Sequence, residues 1–337
     1  MTHFDRRRVM LGLAGTAGLT AFAPGFGTGS SAFAQSSIYQ WGSSSLGSTG
    51  YQIITVLAAA ASRFTDGRHA SLSTAGGAEN MALLGEGLLD FGQSTTTDWH
   101  PAINGLGRYE GKPVDAVQVL SYMVWQCTPM VLADSGINTI DDLKGKRIMP
   151  AAAGGATNGL FQTFFEAVGL QEEVEWTYGS WSETYDALAA GAVDCIPSLL
   201  TSGDPSGILQ RLEANRQVKV LPISEELIEK AQVLNPGVMA STVEPSSWAT
   251  LSEPTLMLSF GGVLATRPDL PAELIYEITK AIYENADFVK DKGGARLKHI
   301  DLEFATRFLI PAYPVHAGAA QYFKEQGVWR DDLKEQA

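Results

Sequence analysis

Short runs of strand character alternate along the chain with stretches in which apolar residues recur every three or four positions, the spacing of an amphipathic helix. Ile38 to Trp41, His69 to Thr74 and Leu89 to Ser94 read as strands, separated by helices expected from about Tyr51 to Phe64 and Glu79 to Glu86. A strand pair follows near Val117 to Tyr122 and Pro129 to Ala133. A second series opens at Lys146 to Met149 and continues with helix Thr157 to Val168, strand Val174 to Tyr178, helix Trp181 to Ala190 and strand Ala192 to Pro197. Gly169 and Gly191 supply the helix stops. Leu256 to Ala265, bracketed by Pro254 and Pro268, is a long apolar strand, and Ala272 to Val289 a long helix. This rhythm predicts two α/β units, with the last strand returning to the first of them.

Length supports the same division, because 337 residues exceed what one hydrophobic core usually serves. The expected organisation is a first lobe of residues 35–138 plus 253–337 and a second of 139–252. Residues 1–34 read as an address: Arg6, Arg7 and Arg8 precede an apolar stretch from Val9 to Phe22, and Ala32-Phe33-Ala34 is a small-x-small cleavage pattern. Gly12, Gly15, Gly18 and Pro24 argue against a buried helix there. Cleavage after Ala34 and a periplasmic destination are expected; the paired arginines before Met10 fit the twin-arginine route and the three basic residues fit the general secretory route.

Charge narrows the partners. Cleavage would remove three arginines and one aspartate, taking 24 basic and 37 acidic residues to 21 and 36. A net charge near −15 argues against nucleic acid, whose phosphates reward clustered Lys and Arg. An anionic small ligand stays open, since local backbone dipoles act within a screening length of about 8 Å. Cys127 and Cys195 are compatible with one disulfide, but both lie in strand-like apolar runs and read better as two independent buried thiols. Neither has a second Cys or a His at ligand spacing, so no metal is expected.

Enzyme signatures are missing from the sequence. There is no Gly-x-Ser-x-Gly elbow, His-Glu-x-x-His or Walker loop, and Gly105-Leu106-Gly107 with Gly111 follows His100-Pro101 rather than a clear strand. The five histidines, His3, His69, His100, His299 and His316, are far apart. The expectation is a protein that does no chemistry and carries no cofactor.

Three clusters of small polar residues stand where a strand hands over to a helix: Gly42 to Gly50, Thr74 to Asn80 and Ala153 to Asn158. A helix start exposes about four unpaired N–H groups and about half a positive charge, and small residues let an anion approach them. In open α/β sheets ligands bind beyond the carboxyl ends of the strands, where such loops lie. Candidate backbone anchors are Ser48, Thr49, Gly76, Gly77, Gly155 and Ala156, with side chains of Ser45, Glu79, Asn80, Thr157 and Asn158 completing the contacts. Glu79 could instead cap its own helix. Ser94, in a Ser-Thr-Thr-Thr run, and Ser202, in Thr201-Ser202-Gly203-Asp204, read equally as hydroxyl donors and as polar loops, and Trp181 as a cleft wall or a core residue. Each cluster alone is compatible with ordinary capping and turns; three in corresponding places favour a site.

At these loops the sequence resembles the TAXI-type solute-binding proteins of tripartite ATP-independent periplasmic (TRAP) transporters. The likeness is carried by Gly47-Ser48-Thr49-Gly50-Tyr51, Ala75-Gly76-Gly77-Ala78-Glu79-Asn80, Asp141-Asp142-Leu143-Lys144-Gly145-Lys146-Arg147, Gly154-Gly155-Ala156-Thr157 and the stretch from Pro314 through His316-Ala317-Gly318 to Glu325. The resemblance implies a bilobed periplasmic binding protein fold of type II, two α/β lobes joined by crossover strands. It also implies capture of a small organic acid, glutamate- or 2-oxoglutarate-like, by hinge closure, and delivery to an ion-gradient-driven TRAP permease. A monomer is expected. Gly154-Gly155-Ala156-Thr157 departs from the Gly-Ser-Gly-Thr common in the family by one hydroxyl. A sensory receptor domain and an enzyme on the same scaffold are the alternatives.

Overall fold

The computed structural model describes residues 38–46 and 48–337. The expected export segment, residues 1–34 with its cleavage point after Ala34, and Gly47 lie outside the described residues. The described residues pack as one compact unit.

The chain opens with β1 (Ile38–Gly42), α1 (Thr49–Phe64), β2 (Arg68–Leu72), α2 (Gly77–Gly85), β3 (Phe91–Thr95) and α3 (Thr96–Ile103). Helix α1 starts where the Ser48 side chain accepts the Tyr51 N–H, and it buries Ile53, Ile54, Leu57, Ala58 and Ala61 along one face. Strands β4 (Val117–Gln126) and β5 (Pro129–Leu132) come next, then β6 (Arg147–Ile148), α4 (Ala156–Ala167), β7 (Glu175–Trp176), α5 (Trp181–Ala189) and β8 (Ile196–Pro197). A hairpin of β9 (Leu200–Thr201) and β10 (Asp204–Pro205) leads to α6 (Gly207–Glu213), β11 (Val218–Val220), α7 (Glu225–Leu234) and β12 (Met239–Val243). The chain ends with β13 (Thr255–Thr266), α8 (Ala272–Glu284), α9 (Ala286–Gly293), α10 (Leu302–Arg307), β14 (Pro314–Val315), α11 (Ala317–Glu325) and β15 (Lys334–Glu335).

Two sheets repeat one strand order. In the larger, β2, β1 and β3 run parallel, and β13 lies antiparallel between β3 and β4. In the smaller assembly β7 and β6 are parallel, and Ile148 forms a parallel bridge to Cys195 just before β8. There β5 lies antiparallel between β8 and β11. Each half thus has parallel strands feeding helices and one antiparallel strand arriving from the other half, and the fold is mixed α/β with two lobes.

Apolar burial follows the two sheets. One core joins α1, β3 and β4 to β13, α8 and α11, including Trp41, Phe91, Leu264, Ile278 and Phe323. A second gathers Cys127, Phe161, Phe164, Phe165, Cys195 and Leu258, and a third, around Met130, Tyr185, Leu188 and Trp248, adjoins it. Arg147 ties β6 to the strand beside it, its guanidinium 2.8 Å from Asp194 and its backbone N–H donating to the same carboxylate. Both thiols are free and buried, as the apolar runs around them suggested, and burial pushes the Cys127 thiol up to about 12.

Three local expectations change. The helix expected over 272–289 is two, α8 and α9, broken at Asn285, whose side-chain amide turns back to the Ala281 carbonyl. The polar run after Ser94 is helix α3, closed at its start by Asp98. The run 201–204 leads to no helix directly: it is the turn between β9 and β10, which pair with the first sheet through Trp125 and Thr201.

Candidate functional site

The parallel strands of both sheets end at one cavity of about 510 Å³. From the first sheet, the loop after β1 contributes Ser44 and the loop after β2 delivers Ala75, Gly76 and the first turn of α2. Gly76 holds φ at 116°, a conformation that favours glycine, and it stands at the start of α2 with no side chain to cap it. Glu79 lies in that first turn and its carboxylate accepts the Ala75 N–H, so it closes its own turn. From β3 come Gln93 and Thr95, and from α3 comes Asp98.

The second sheet contributes residues 150–158 after β6, Trp181 at the start of α5 and Leu199 after β8. Gly155 caps α4 with extended backbone and again no side-chain cap, and the first turn of α4 contains no acidic residue. Ala151, beside it, sits at φ 65°, a left-handed conformation costing about 1–2 kcal/mol for a residue with a Cβ. Its carbonyl accepts the Gly179 N–H at 3.2 Å, so the loop held in this strained form is anchored to the start of the α5 loop. Between the sheets Trp125 and Phe260, 5.4 Å apart at their ring centroids, form an apolar wall.

Charge is distributed unevenly. Asp98 Oδ2 accepts the Thr95 N–H at 2.7 Å and the Thr95 hydroxyl at 2.8 Å. Burial raises its pKa, against the lowering effect of those two bonds and of Arg108. Arg108, on the turn Gly107–Tyr109, is exposed at the cavity edge and has no direct hydrogen bond or ion pair among the described residues. The Tyr109 hydroxyl donates to the Ala78 carbonyl at 2.6 Å, which fastens this turn to α2. Gln93 and Asn158 line the cavity, but their side-chain oxygens are buried without a partner, Gln93 Oε1 packing against Gly50 of α1. No group of three or more His, Cys, Asp and Glu among the described residues could hold a metal ion, and no described helix is long and apolar enough to cross a membrane.

Of the residues singled out from sequence, Gly76, Gly77, Glu79, Gly155, Ala156, Thr157, Asn158 and Trp181 line this one cavity. The others lie elsewhere. Ser48 caps α1 through the Tyr51 N–H, Thr49 opens that helix, and Ser45 is exposed before it. Asn80 is fully buried and donates to the carbonyls of Gly42, Ser43 and Gln93, stapling the ends of β1 and β3 together. Ser94, also fully buried, donates to the Val263 carbonyl and accepts the Trp99 indole N–H. Ser202, at φ 49°, belongs to the β9–β10 turn.

Ser44 and Thr95, which also line the cavity, lie in the Gly42 to Gly50 cluster and the Ser-Thr-Thr-Thr run, whereas sequence reading missed Gln93, Asp98, Arg108, Trp125, Leu199 and Phe260. Thr95-x-x-Asp98 is a capping-box pattern, so Asp98 was legible as a helix residue. Arg108, 23 residues past the end of α2, had no such signal; only the fold brings it to the cavity.

The sequence model of the NMT1-like family matches residues 42–327, and the chain belongs to that family. Among solved structures, XAC2383 from Xanthomonas citri bound to ATP is 14% identical, with a TM-score of 0.51 over 87% of this chain and 97% of that one. The same protein bound to chloride ion matches with a TM-score of 0.51 over 86% and 97%. The periplasmic aliphatic sulphonate binding protein SsuA from Escherichia coli is 14% identical, with a TM-score of 0.46 over 76% and 74%. At such identity the likeness is one of fold alone, a mixed α/β architecture of two lobes.

Proposed function

We propose that this NMT1-like protein is an exported solute-binding subunit that takes a small organic acid into the cavity between its lobes and delivers it to an ion-gradient-driven TRAP permease, without transforming it. The carrying observation is that α4 begins at Gly155 with no side-chain cap and no acidic residue in its first turn, on the wall of a cavity that the glycine-led start of α2 also lines, with Arg108 at its edge. Unpaired N–H groups and helix dipoles favour a carboxylate there. Residues 1–34 would direct export, and the TAXI-like segments support a glutamate- or 2-oxoglutarate-like ligand.

The lobes would be residues 35–138 with 253–337 and residues 139–252, with one adjustment. The outward crossing falls nearer Cys127 and Thr128, because β5 pairs in the smaller sheet. A guest touching both walls interacts better with the closed arrangement than the open one, and only that difference drives closure.

Native mass spectrometry of freshly purified protein, followed by thermal unfolding with amino acids and dicarboxylates, tests this reading. A true ligand at a hundredfold its dissociation constant stabilises the fold by about 2.7 kcal/mol. Stabilisation by neutral sugars and by no carboxylate would overturn it.

A further inference from the structure

The first turn of α3 faces two ways. Thr95 and Asp98 line the cavity, while Thr96 and Thr97 engage the loop between α7 and β12. These two partners belong to different cores: Trp99 and Ala102 of α3 are buried with the first sheet, Ala231 and Val238 on either side of the loop with the second. The Thr96 hydroxyl donates to the Gly237 carbonyl at 2.5 Å and accepts the Gly261 N–H of β13 at 3.1 Å. Asn235, 8% exposed, adds two bonds: its side-chain amide donates to the Thr97 carbonyl at 3.0 Å, and its oxygen accepts the Gly237 N–H at 2.9 Å. Gly237 lies so close to α3 that an added Cβ would fall 1.9 Å from the Thr96 carbonyl oxygen and 2.4 Å from its carbon. Both atoms are backbone of a helix start, which cannot swing aside as a side chain would.

This contact is narrow, with open space on both sides. On one side a groove of about 620 Å³ runs between α3 and α4, lined by Pro101 and Leu106, by Gln162 and Glu166, and by Leu234 and Asn235 of the loop. It shares Asp98, Arg108 and residues 154–156 with the cavity. On the other side a groove of about 350 Å³ is lined by Pro236 and Val238 from one lobe and Arg307, Phe308 and Leu309 from the other. A rotation that narrows one groove and widens the other keeps the strip between them in place. Helix α7, which carries the loop, packs against α4, whose start forms the opposite cavity wall. The loop therefore links the wall that holds Asp98 to the wall that holds Gly155.

We propose that the turn Asn235–Pro236–Gly237 is the fulcrum on which the two lobes rock, and that Thr96 and Asn235 are positioning residues that set how far the first turn of α3 stands from α4. The proposal rests on the reading of two lobes that close on a guest and is independent of what the guest is. Crossing strands bend in several directions; a close backbone contact pinned by hydrogen bonds resists sliding and leaves rotation about one line.

Nitroxide labels read the interlobe distance in the ligand-free protein. One pair, Glu110→Cys with Glu172→Cys, spans the lobes, and a control pair, Glu172→Cys with Glu229→Cys, lies within the second; all three positions are exposed and both native thiols are buried. Thr96→Val removes the bridging hydroxyl, Thr96→Ser keeps it, and Asn235→Ala removes the two side-chain bonds. The expected result is an interlobe distance distribution at least about twice as wide in Thr96→Val and in Asn235→Ala as in the unaltered protein, with the control pair unchanged and Thr96→Ser close to the unaltered width. An unchanged interlobe distribution in either variant overturns the proposal and leaves the contact as packing alone. So does a control distance that changes with it, or a Thr96→Ser protein as broad as Thr96→Val. Should one of the two loss variants fail to fold, the other decides. Because no solute is present, this result stands apart from the carboxylate reading, which the thermal-unfolding screen decides.

Discussion

At the start of α2 the chain passes through Gly76 at φ 116° into a turn already crowded by two carboxylates, Glu79 and Asp98. At the start of α4 it passes through Gly155 at φ −75°, a conformation open to any residue, into a turn with no acidic group. These helix starts face one cavity and have the same kind of cap, yet one is largely neutralised from within and the other is left for a guest. Helix termini alone therefore do not define an anion site; the side chains that neighbouring elements bring to them decide what each can bind.

The largest expected contrast comes from adding one methyl group to each start. In Gly77→Ala the new Cβ falls 2.1 Å from Asp98 Oδ2 and 3.2 Å from the Ser94 Cα, so overpacking should cost about 1–3 kcal/mol in urea unfolding. In Gly155→Ala the nearest atom is the Ala152 carbonyl oxygen at 3.2 Å, and the change at the cap should cost about 0.5–1 kcal/mol. Equal losses would remove the distinction between the two starts.

Next in size is Arg108→Gln. Loss of a charge-assisted contact should weaken carboxylate binding roughly 10–100-fold in calorimetry. The unfolding midpoint of the ligand-free protein should move little, because the exposed guanidinium has no direct hydrogen bond or ion pair among the described residues and acts on the fold only through its charge near Asp98. Unchanged affinity would leave α4 as the only anion-binding element.

The smallest effect is on the ligand-free fold. Asp98 has a pKa raised by burial, so the folded state binds its proton more tightly than the unfolded chain does. Its contribution is favourable below the ordinary carboxylate pKa and is lost as pH rises through the raised folded value. Asp98→Asn should therefore unfold at a higher temperature than the unaltered protein at pH 7 without ligand, with the gap closing as pH falls toward the ordinary carboxylate range. A variant less stable at pH 7 would mean that the Asp98 bonds to Thr95 outweigh the burial of its charge.

Local pattern carried much of this far. Thr74 to Asn80 and Ala153 to Asn158 were readable as loop-to-helix transitions because glycine and short polar residues mark such places whatever surrounds them. Asn80 and Ser94 show the limit: both look like ligand contacts in sequence, and both are consumed by internal carbonyls once β1, β3 and β13 lie side by side. The break at Asn285 was hidden for the same reason, since apolar spacing runs through it and only the side-chain bond to Ala281 marks the stop.

The order of strands and helices, the glycine-led helix starts and the pairing of two α/β units were determined by the sequence alone, since each depends on neighbours within a few residues. The composition of the cavity was decided by tertiary structure. Arg108 and Asp98 on one side, the uncharged 150–158 loop on the other, and Trp125 with Phe260 between them come from segments as much as 162 positions apart. No periodicity within any one of them registers which will meet; the shared strand order that aims the carboxyl ends of both sheets at the same space does.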